Sequence, residues 1–495
     1  MNDLNRRKFI RNSFLAGGGI SLAVPEFMQI LPSQKPGDNE ERVVQYSPGV
    51  KKIIIAGAGI SGLCCAYELM KSGHDVIVLE ASGRHGGHVF TGRDGFSDGL
   101  YADYGADHIT EPGYEKFFEY SREFNLTILP YRQGNDGLSM IKGRFYSDTQ
   151  LKDPSVLKTL GFNDKEIQQL SQYPWWSLQT LYLEPYIKKF TDPYQPFGAG
   201  LDDLDAISIA DLYKKLGASE MALSWLGGNN TSALYKVWRL AIMGFRGIPL
   251  SEGNVFRLKG GNQEMTNAFA KKLGARVKLG SPVLGIRHDA HSVTVDYKEY
   301  GYDEVKQMKG DFLVNAISMP VFKKIQVTPS FSPEKQFVVD NLSYTSHPHY
   351  IFEASTKFWL DDGLKSINLE FDDPDIQATW QTADEVESER VIIVAYGPSG
   401  LSPQRVLAAF RKLYPGKKDT IVQALTKDWS KDNFAPTCEM IPFPVGQMKK
   451  FWPQIMKPEG RIYFVGTYAD NMSRGMESCI RSAKRVAEEI NSNPS

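Results

Sequence analysis

Residues 53–88 read IIIAGAGISGLCCAYELMKSGHDVIVLEASGRHGGH, and this stretch decides the fold. Three isoleucines, Ile53 to Ile55, run directly into Gly57-x-Gly59-x-x-Gly62. A helical stretch follows, then a second apolar strand, Val76 to Leu79, which ends on Glu80. Strand, glycine turn, helix, strand and acid, in that order, make the βαβ unit that binds dinucleotides. Gly57 permits the tight turn, Gly59 lets the backbone approach a pyrophosphate, and Gly62 lets helix and strand pack closely. Ala58, Ile60 and Ser61 complete the turn, and the helix beginning there offers unpaired N–H groups and a positive dipole end to phosphate. Glu80, eighteen residues beyond Gly62, is placed to accept hydrogen bonds from ribose hydroxyls.

The residues after Glu80 say which dinucleotide is expected. Glu80-Ala81-Ser82-Gly83-Arg84-His85-Gly86-Gly87-His88 resembles the E-A-x-x-R-x-G-G-R run of the flavin-containing amine oxidase family. That family includes monoamine, polyamine and L-amino acid oxidases. There the run wraps the FAD pyrophosphate and ribityl chain, so the resemblance implies FAD and assigns it Ala81, Arg84, Gly87 and His88. One position departs from the pattern. The last Arg of the run is His88 here, which can donate to a phosphate but lacks the bidentate fork of Arg.

Three further segments carry the resemblance along the chain. Asp103 to Ile109, DYGADHI, sits where the family passes close to the flavin ring, which implies contacts from Gly105, Ala106 and Asp107. Phe256 to Ala270 and then Val277 to Tyr297 are similar to the family's GG-x-x-x-L helix and following strands, where the residue matching Val283 meets the adenine through its backbone. Gly460 to Ile490 is similar to the closing strand and helix, implying Gly466 beside the ribityl chain and N–H groups near Gly475 and Met476 aimed at the flavin. Residues 115 to 250 resemble the family only loosely.

The expected fold is α/β, a Rossmann-like FAD-binding domain interleaved with a mixed-sheet substrate domain and a helical subdomain. Its FAD-binding parts are expected at 51–115, 251–318 and 441–495. Residues 116–250 read as the helical part, with amphipathic spacing at Tyr114–Phe124, Asp164–Gln172 and Ser208–Leu216. Its aromatic residues Trp175, Trp176, Tyr182 and Tyr186 suit core packing or the lining of a funnel. Residues 319–440 are expected to supply a sheet over the flavin, including Tyr350–Ala354 and Val391–Tyr396.

Composition agrees with a globular enzyme. A chain of 495 residues exceeds one core and implies interleaved domains. Its 42% hydrophobic and 23% charged residues are ordinary for a globular protein. The net charge of −1 gives no basic field for nucleic acid, so none is expected as partner. No apolar run reaches the roughly 20 residues needed to cross a bilayer. Cys64 and Cys65 read as packing residues of the first helix, and Cys438 and Cys479 lack metal-ligand spacing.

The N-terminus carries a separate signal. Asn5-Arg6-Arg7-Lys8-Phe9-Ile10-Arg11 resembles the twin-arginine export motif, followed by an apolar Phe14–Val24 and small residues at Ser21–Ala23. Residues 1–30 are therefore expected to be a signal, with the twin-arginine translocase as partner and a periplasmic or secreted destination. Such export carries folded proteins, which suits one that captures FAD in the cytoplasm. Residues 31–50 read as a linker.

For the chemistry, the resemblance implies hydride transfer from the carbon bearing an amine to flavin N5, with oxygen then reduced to hydrogen peroxide. Many family members place a Lys near N5, about nine residues before a Phe-Trp pair. Counting back from Phe358-Trp359 lands on His349, which suits water binding or general-base work near neutral pH, or, if the register is shifted, is a surface residue of its strand. The His347-x-His349 pair has no evident third ligand, so no metal is expected. Monoamine oxidases carry a Tyr of an aromatic cage where this chain has Gly475, which counts against a simple arylalkylamine. Thr467-Tyr468 fits the L-amino acid oxidase branch better. That branch has an Arg for the substrate carboxylate where His108 stands, leaving Arg474 either as a replacement anchor or as the partner of a nearby acid. With no covalent-flavin cysteine in pattern, FAD is expected to be non-covalent. The expected enzyme thus oxidises a small amino acid or amine. A redox-neutral isomerase or desaturase acting on a lipid or polyene, a non-enzymatic flavin-fold partner protein, and an oligomeric state all stay open from sequence alone.

Overall fold

The computed structural model describes residues 49–131, 137–248, 254–472 and 475–493. Arg474 and the N-terminal export motif lie outside the described residues.

Ile53 to Ile55 are fully buried because their strand, Lys52–Ala56, is central in a five-stranded parallel sheet. Strand order is 277–278, 75–79, 52–56, 312–315 and 462–464, every pairing parallel. A parallel strand covered on both faces needs an apolar run rather than alternation, which is what IIIA provides. Three separate stretches of chain thus meet in one sheet. The helix Ile60–Lys71 starts at the glycine turn and packs on the closing helix Gly475–Ser492. Buried Lys51 donates to the carbonyls of Ile490 and Asn493, supplying the last turn of that closing helix with a cation.

A second, seven-stranded sheet is ordered 421–426, 349–354, 391–396, 378–382, 369–370, 138–141 and 144–147. All its pairings are antiparallel except that of 369–370 with 138–141. The strand expected from Tyr350 begins one residue earlier, at His349, opposite Tyr396. A four-stranded sheet built on 283–288 and a three-stranded sheet of 109–111, 254–258 and 128–130 complete the frame.

Between residues 154 and 245 the regular structure is helical, with a long irregular stretch between Ile187 and Asp202, and its starts follow the sequence. Asn163 and Glu166 form a reciprocal capping box, and Ser208, Ser219 and Ser232 each cap the following helix. The aromatic residues here go into packing: Trp175 lies edge-on to Trp225 at 6.2 Å, and the buried Tyr182 hydroxyl meets Glu166. None of Trp175, Trp176, Tyr182 and Tyr186 reaches the large cavity described below. Among the described residues no helix is long and apolar enough to cross a membrane. Cys64 and Cys65 are buried in the first helix, and no disulfide joins Cys438 to Cys479.

Candidate active site

The glycine turn and the segment after Glu80 are built against each other. Gly57 has φ +104° and donates to Leu79 O at 2.8 Å. Gly86 donates to Ala58 O at 2.8 Å, and Gly59 and Gly86 form a parallel bridge. Buried Glu80 accepts from Ala58 N at 2.7 Å and from Ser82 N and Oγ at 2.8 Å. Arg84 donates to the carbonyls of His85 and Gly87 and lies over the Phe90 ring at 4.8 Å.

From this turn one cavity of about 800 Å³ runs to the seven-stranded sheet. Gly57, Gly59, Ile60, Ser61, Glu80, Ala81, Arg84, Gly87, His88 and Val283 line it at the glycine-turn side. Gly105, Ala106, Asp107, His108, His349, Gly466, Tyr468, Gly475 and Met476 line it too. Ala58 and Gly62 stand behind the wall: Ala58 is fully buried, and a Cβ on Gly62 would lie 2.0 Å from Gly57 O.

The residues fit a bound dinucleotide. A Cβ added at Gly59 meets no atom within 4 Å, so this backbone faces open cavity. His88, which lines the cavity, has no hydrogen-bond partner for its buried Nε2 among the described residues, so that atom is unclaimed by the protein. His88 packs on Trp429 at 4.4 Å, and Trp429 is held by its N–H to Tyr104 O at 2.8 Å. Burial, with His349 and Arg84 nearby, pushes the His88 pKa down to about 3. A neutral ring therefore occupies the position where the resemblance implied a guanidinium.

At the sheet side, His349 Nδ1 lies 2.8 Å from Asp103 O. A carbonyl accepts only, so Nδ1 carries a hydrogen, and in the neutral ring Nε2 is then the acceptor nitrogen. Trp380 stands edge-on to His349 at 5.7 Å, and Tyr396 is 5.8 Å away. His108 Nδ1 is 2.7 Å from Asp107 Oδ1, and its ring packs on Tyr131 and Trp380 at 4.8 and 5.4 Å. His108 is thus an aromatic-wall residue held by its neighbouring acid. Tyr468 Oη is 3.3 Å from Asn315 Nδ2 and is fully enclosed. At Gly475 an added Cβ would meet the Tyr114 hydroxyl at 2.2 Å, so the Tyr114 phenol fills the space a side chain there would need. No group of three or more His, Cys, Asp or Glu suited to a metal occurs among the described residues.

Trp380, Tyr396, Tyr235 and Arg239 line the same cavity and were not identified from sequence. Tyr396 carried a faint signal as the one polar-tipped residue ending the apolar run VIIVAY. Arg239 carried another, as a cation inside the apolar run VWRLAIM.

Asp103 supports His349 through its backbone, and its own carboxyl is buried. Burial pushes its pKa up to about 7, against hydrogen bonds from Thr91 and the Asn262 N–H. Below about pH 3.8 the folded and unfolded states are both protonated at this group. Between there and about 7 only the unfolded state ionises, so stability falls as pH rises through that window and the loss is complete above it. Asp103→Asn has no such ionisation. Its stability relative to the wild type is expected to improve by on the order of a few kcal/mol from pH 4 to pH 7.5, read from urea melts. Parallel stability curves for the two proteins would contradict it.

Comparison with known proteins matches this geometry. Residues 60–491 match the family model of the flavin containing amine oxidoreductases. The L-amino-acid oxidase of Vipera ammodytes ammodytes is 26% identical over 462 residues, covering 89% of this chain and 93% of that protein. The L-amino-acid oxidase of Protobothrops flavoviridis is 27% identical over 470 residues, covering 89% of each. Among solved structures, wild-type putrescine oxidase bound to putrescine superposes with TM-score 0.76 at 19% identity, covering 90% of this chain and 100% of that one. Cyclohexylamine oxidase from Brevibacterium oxydans IH-35A gives 0.71 at 20% identity, covering 90% and 99%.

Proposed function

Because this chain belongs to the flavin containing amine oxidoreductase family, we propose that it oxidises a small amino acid or amine with non-covalently bound FAD and passes the electrons to oxygen as hydrogen peroxide. FAD, when bound, supplies the hydride acceptor. The supporting observation is His349 on the wall of the cavity that begins at the glycine turn, its tautomer set by Asp103 O.

The side chains then divide the work. Gly59, whose Cα faces open cavity, leaves room for the phosphates beside a turn that Gly57 and Gly86 pin through their own N–H bonds to Leu79 O and Ala58 O. His349 Nε2 is available to take a proton from the substrate ammonium, directly or through one water, so that the amine nitrogen can donate its lone pair as hydride leaves the carbon. Trp380, Tyr396 and His108, the last backed by Tyr131, form an aromatic wall that keeps bulk water away and orients an apolar substrate body.

The test is to purify the protein, record its absorbance from 300 to 550 nm, and add amino acids and amines without air. Bleaching by one class, with peroxide formed when air returns, is the expected result. Acid precipitation is expected to leave yellow FAD in the supernatant. A yellow protein that no amine or amino acid bleaches would overturn the oxidase reading in favour of a redox-neutral or desaturating enzyme.

We also propose export by the twin-arginine route, on the strength of Arg6-Arg7 and the apolar segment behind them. An Arg6→Lys, Arg7→Lys double variant is expected to stay in the cytoplasm, with unchanged flavin content. Unaltered export of that variant would refute the route.

A further inference from the structure

The helix Ala233–Phe245, ALYKVWRLAIMGF, forms one wall of the cavity. Lys236, Arg239, Leu240 and Met243 line it, at spacings of three, four and seven that place them on one helix face. Leu234, Val237, Trp238 and Ala241 turn the other way into the core. A cavity-facing stripe beside apolar Leu240 and Met243 gains little from carrying a guanidinium, because partial burial removes water from the charge.

The other charged groups around the cavity show how this cost is usually met. Arg246, one element-end away, pairs with Glu115 at 2.7 Å and Glu477 at 3.5 Å. Asp107 has His108, Asp432 has Lys427 at 2.8 Å, and Glu80 is filled by backbone and Ser82 donors. Arg239 differs. It is half-buried, and among the described residues its one side-chain partner is the Tyr235 hydroxyl, 3.3 Å from Nη1. No described carboxylate lies within 4.0 Å of it. A guanidinium has five N–H donors in a rigid fork, so most of its capacity remains open to the cavity.

We infer that Arg239 is an anion subsite of the substrate pocket, and that the substrate is an amine which also carries a carboxylate or comparable anionic group. The phosphates of a dinucleotide are already provided for at the glycine turn, on the parallel sheet. Arg239 belongs to the helical part instead. Its helix begins at Ser232, whose N–H donates to Phe443 O, and ends at Arg246, which donates to Gly113 O. Arg239 is seven residues from each of these, about 10 Å along the axis, and so sits at mid-wall. A bidentate guanidinium–carboxylate contact would fix one end of the substrate while the amine-bearing carbon is presented elsewhere in the cavity. This deepens the amine-oxidising reading and rests on it for the reaction, but the anion subsite itself is separately testable.

The experiment compares wild type, Arg239→Met and Arg239→Lys as FAD-loaded proteins, after melts confirm that all three fold. Phenylacetate and its neutral isostere phenylacetamide are titrated while following protein fluorescence and flavin absorbance. Phenylacetate affinity is expected to fall about 10- to 100-fold in R239M and much less in R239K, the size of a lost charge-assisted hydrogen bond. Phenylacetamide affinity and FAD content are expected to stay unchanged. Equal responses of acid and amide, or a loss of FAD affinity in place of phenylacetate affinity, would overturn the assignment. A kinetic arm sets phenylalanine against phenethylamine, and R239M is expected to lose rate on the amino acid only. If neither compound bleaches the wild-type flavin, the amine-oxidising reading is weakened, yet the phenylacetate titration still decides the role of Arg239.

Discussion

Gly62→Ala is expected to yield a protein that purifies without FAD. A Cβ at this position would lie 2.0 Å from Gly57 O and 3.0 Å from Ala316 Cβ. Neither neighbour is the tip of a flexible side chain, so the backbone of the turn itself must move. That turn is pinned, because Gly57 has φ +104° and its N–H is bonded to Leu79 O in the next strand. Overpacking of this kind costs about 1–3 kcal/mol or more, and here the displacement falls on the backbone that would cradle phosphate. FAD affinity is expected to drop roughly 100-fold, with a lower melting temperature. The measurement is the ratio of absorbance at 450 nm to that at 280 nm, followed by fluorescence titration with added FAD. Gly59→Ala makes the informative contrast. Its methyl meets nothing within 4 Å in the protein, so it is expected to leave stability alone while still weakening FAD, because it projects into the cavity. A yellow G62A protein with wild-type affinity would show that the turn does not carry the cofactor.

His349→Phe is expected to slow anaerobic flavin bleaching by about 100- to 10,000-fold, the usual worth of a positioned proton acceptor. The ring volume is nearly kept and the neighbours Trp380 and Tyr396 are aromatic, so the pocket stays filled. What is lost is the pair of nitrogens: the Nδ1–H bond to Asp103 O and the Nε2 lone pair. The first loss is a matter of stability and is expected to cost about 1 kcal/mol, visible in a urea melt. The second is a matter of rate and is not visible there. FAD content should match the wild type, which separates this variant from G62A. A bleaching rate within about threefold of wild type would remove His349 from the proton transfer.

How much of this was legible beforehand differs from one part of the molecule to another. The glycine turn, its helix and Glu80 were legible because their constraints are local: φ at Gly57, the close packing at Gly62, and the acid at a strand end lie within one βαβ unit. His349, which lines the cavity, was singled out by counting from a neighbouring aromatic pair, since both belong to one continuous stretch. Trp380 and Tyr396 were not found, although Tyr396 pairs directly with His349 in the sheet. That pairing joins residues 47 positions apart, and no local pattern states the register. The aromatic residues around Trp175 read from spacing alone as core first and as funnel second. Only the packing of Trp175 on Trp225 and of Tyr182 on Glu166 assigns them to the core.

By itself, then, the sequence determined the parallel sheet, the dinucleotide turn and the helix starts, because each depends on backbone conformation and burial within a few tens of residues. Tertiary structure decided what the pocket can recognise. It put the Tyr114 hydroxyl into the space of a side chain at Gly475, packed His88 against Trp429 where the loss of water lowers its pKa, and left Arg239 facing the cavity with most of its donors unused. Charge state and donor availability depend on which groups far apart in the chain come within a few ångströms, and that distance is set only when the sheets and the helical part close on one another.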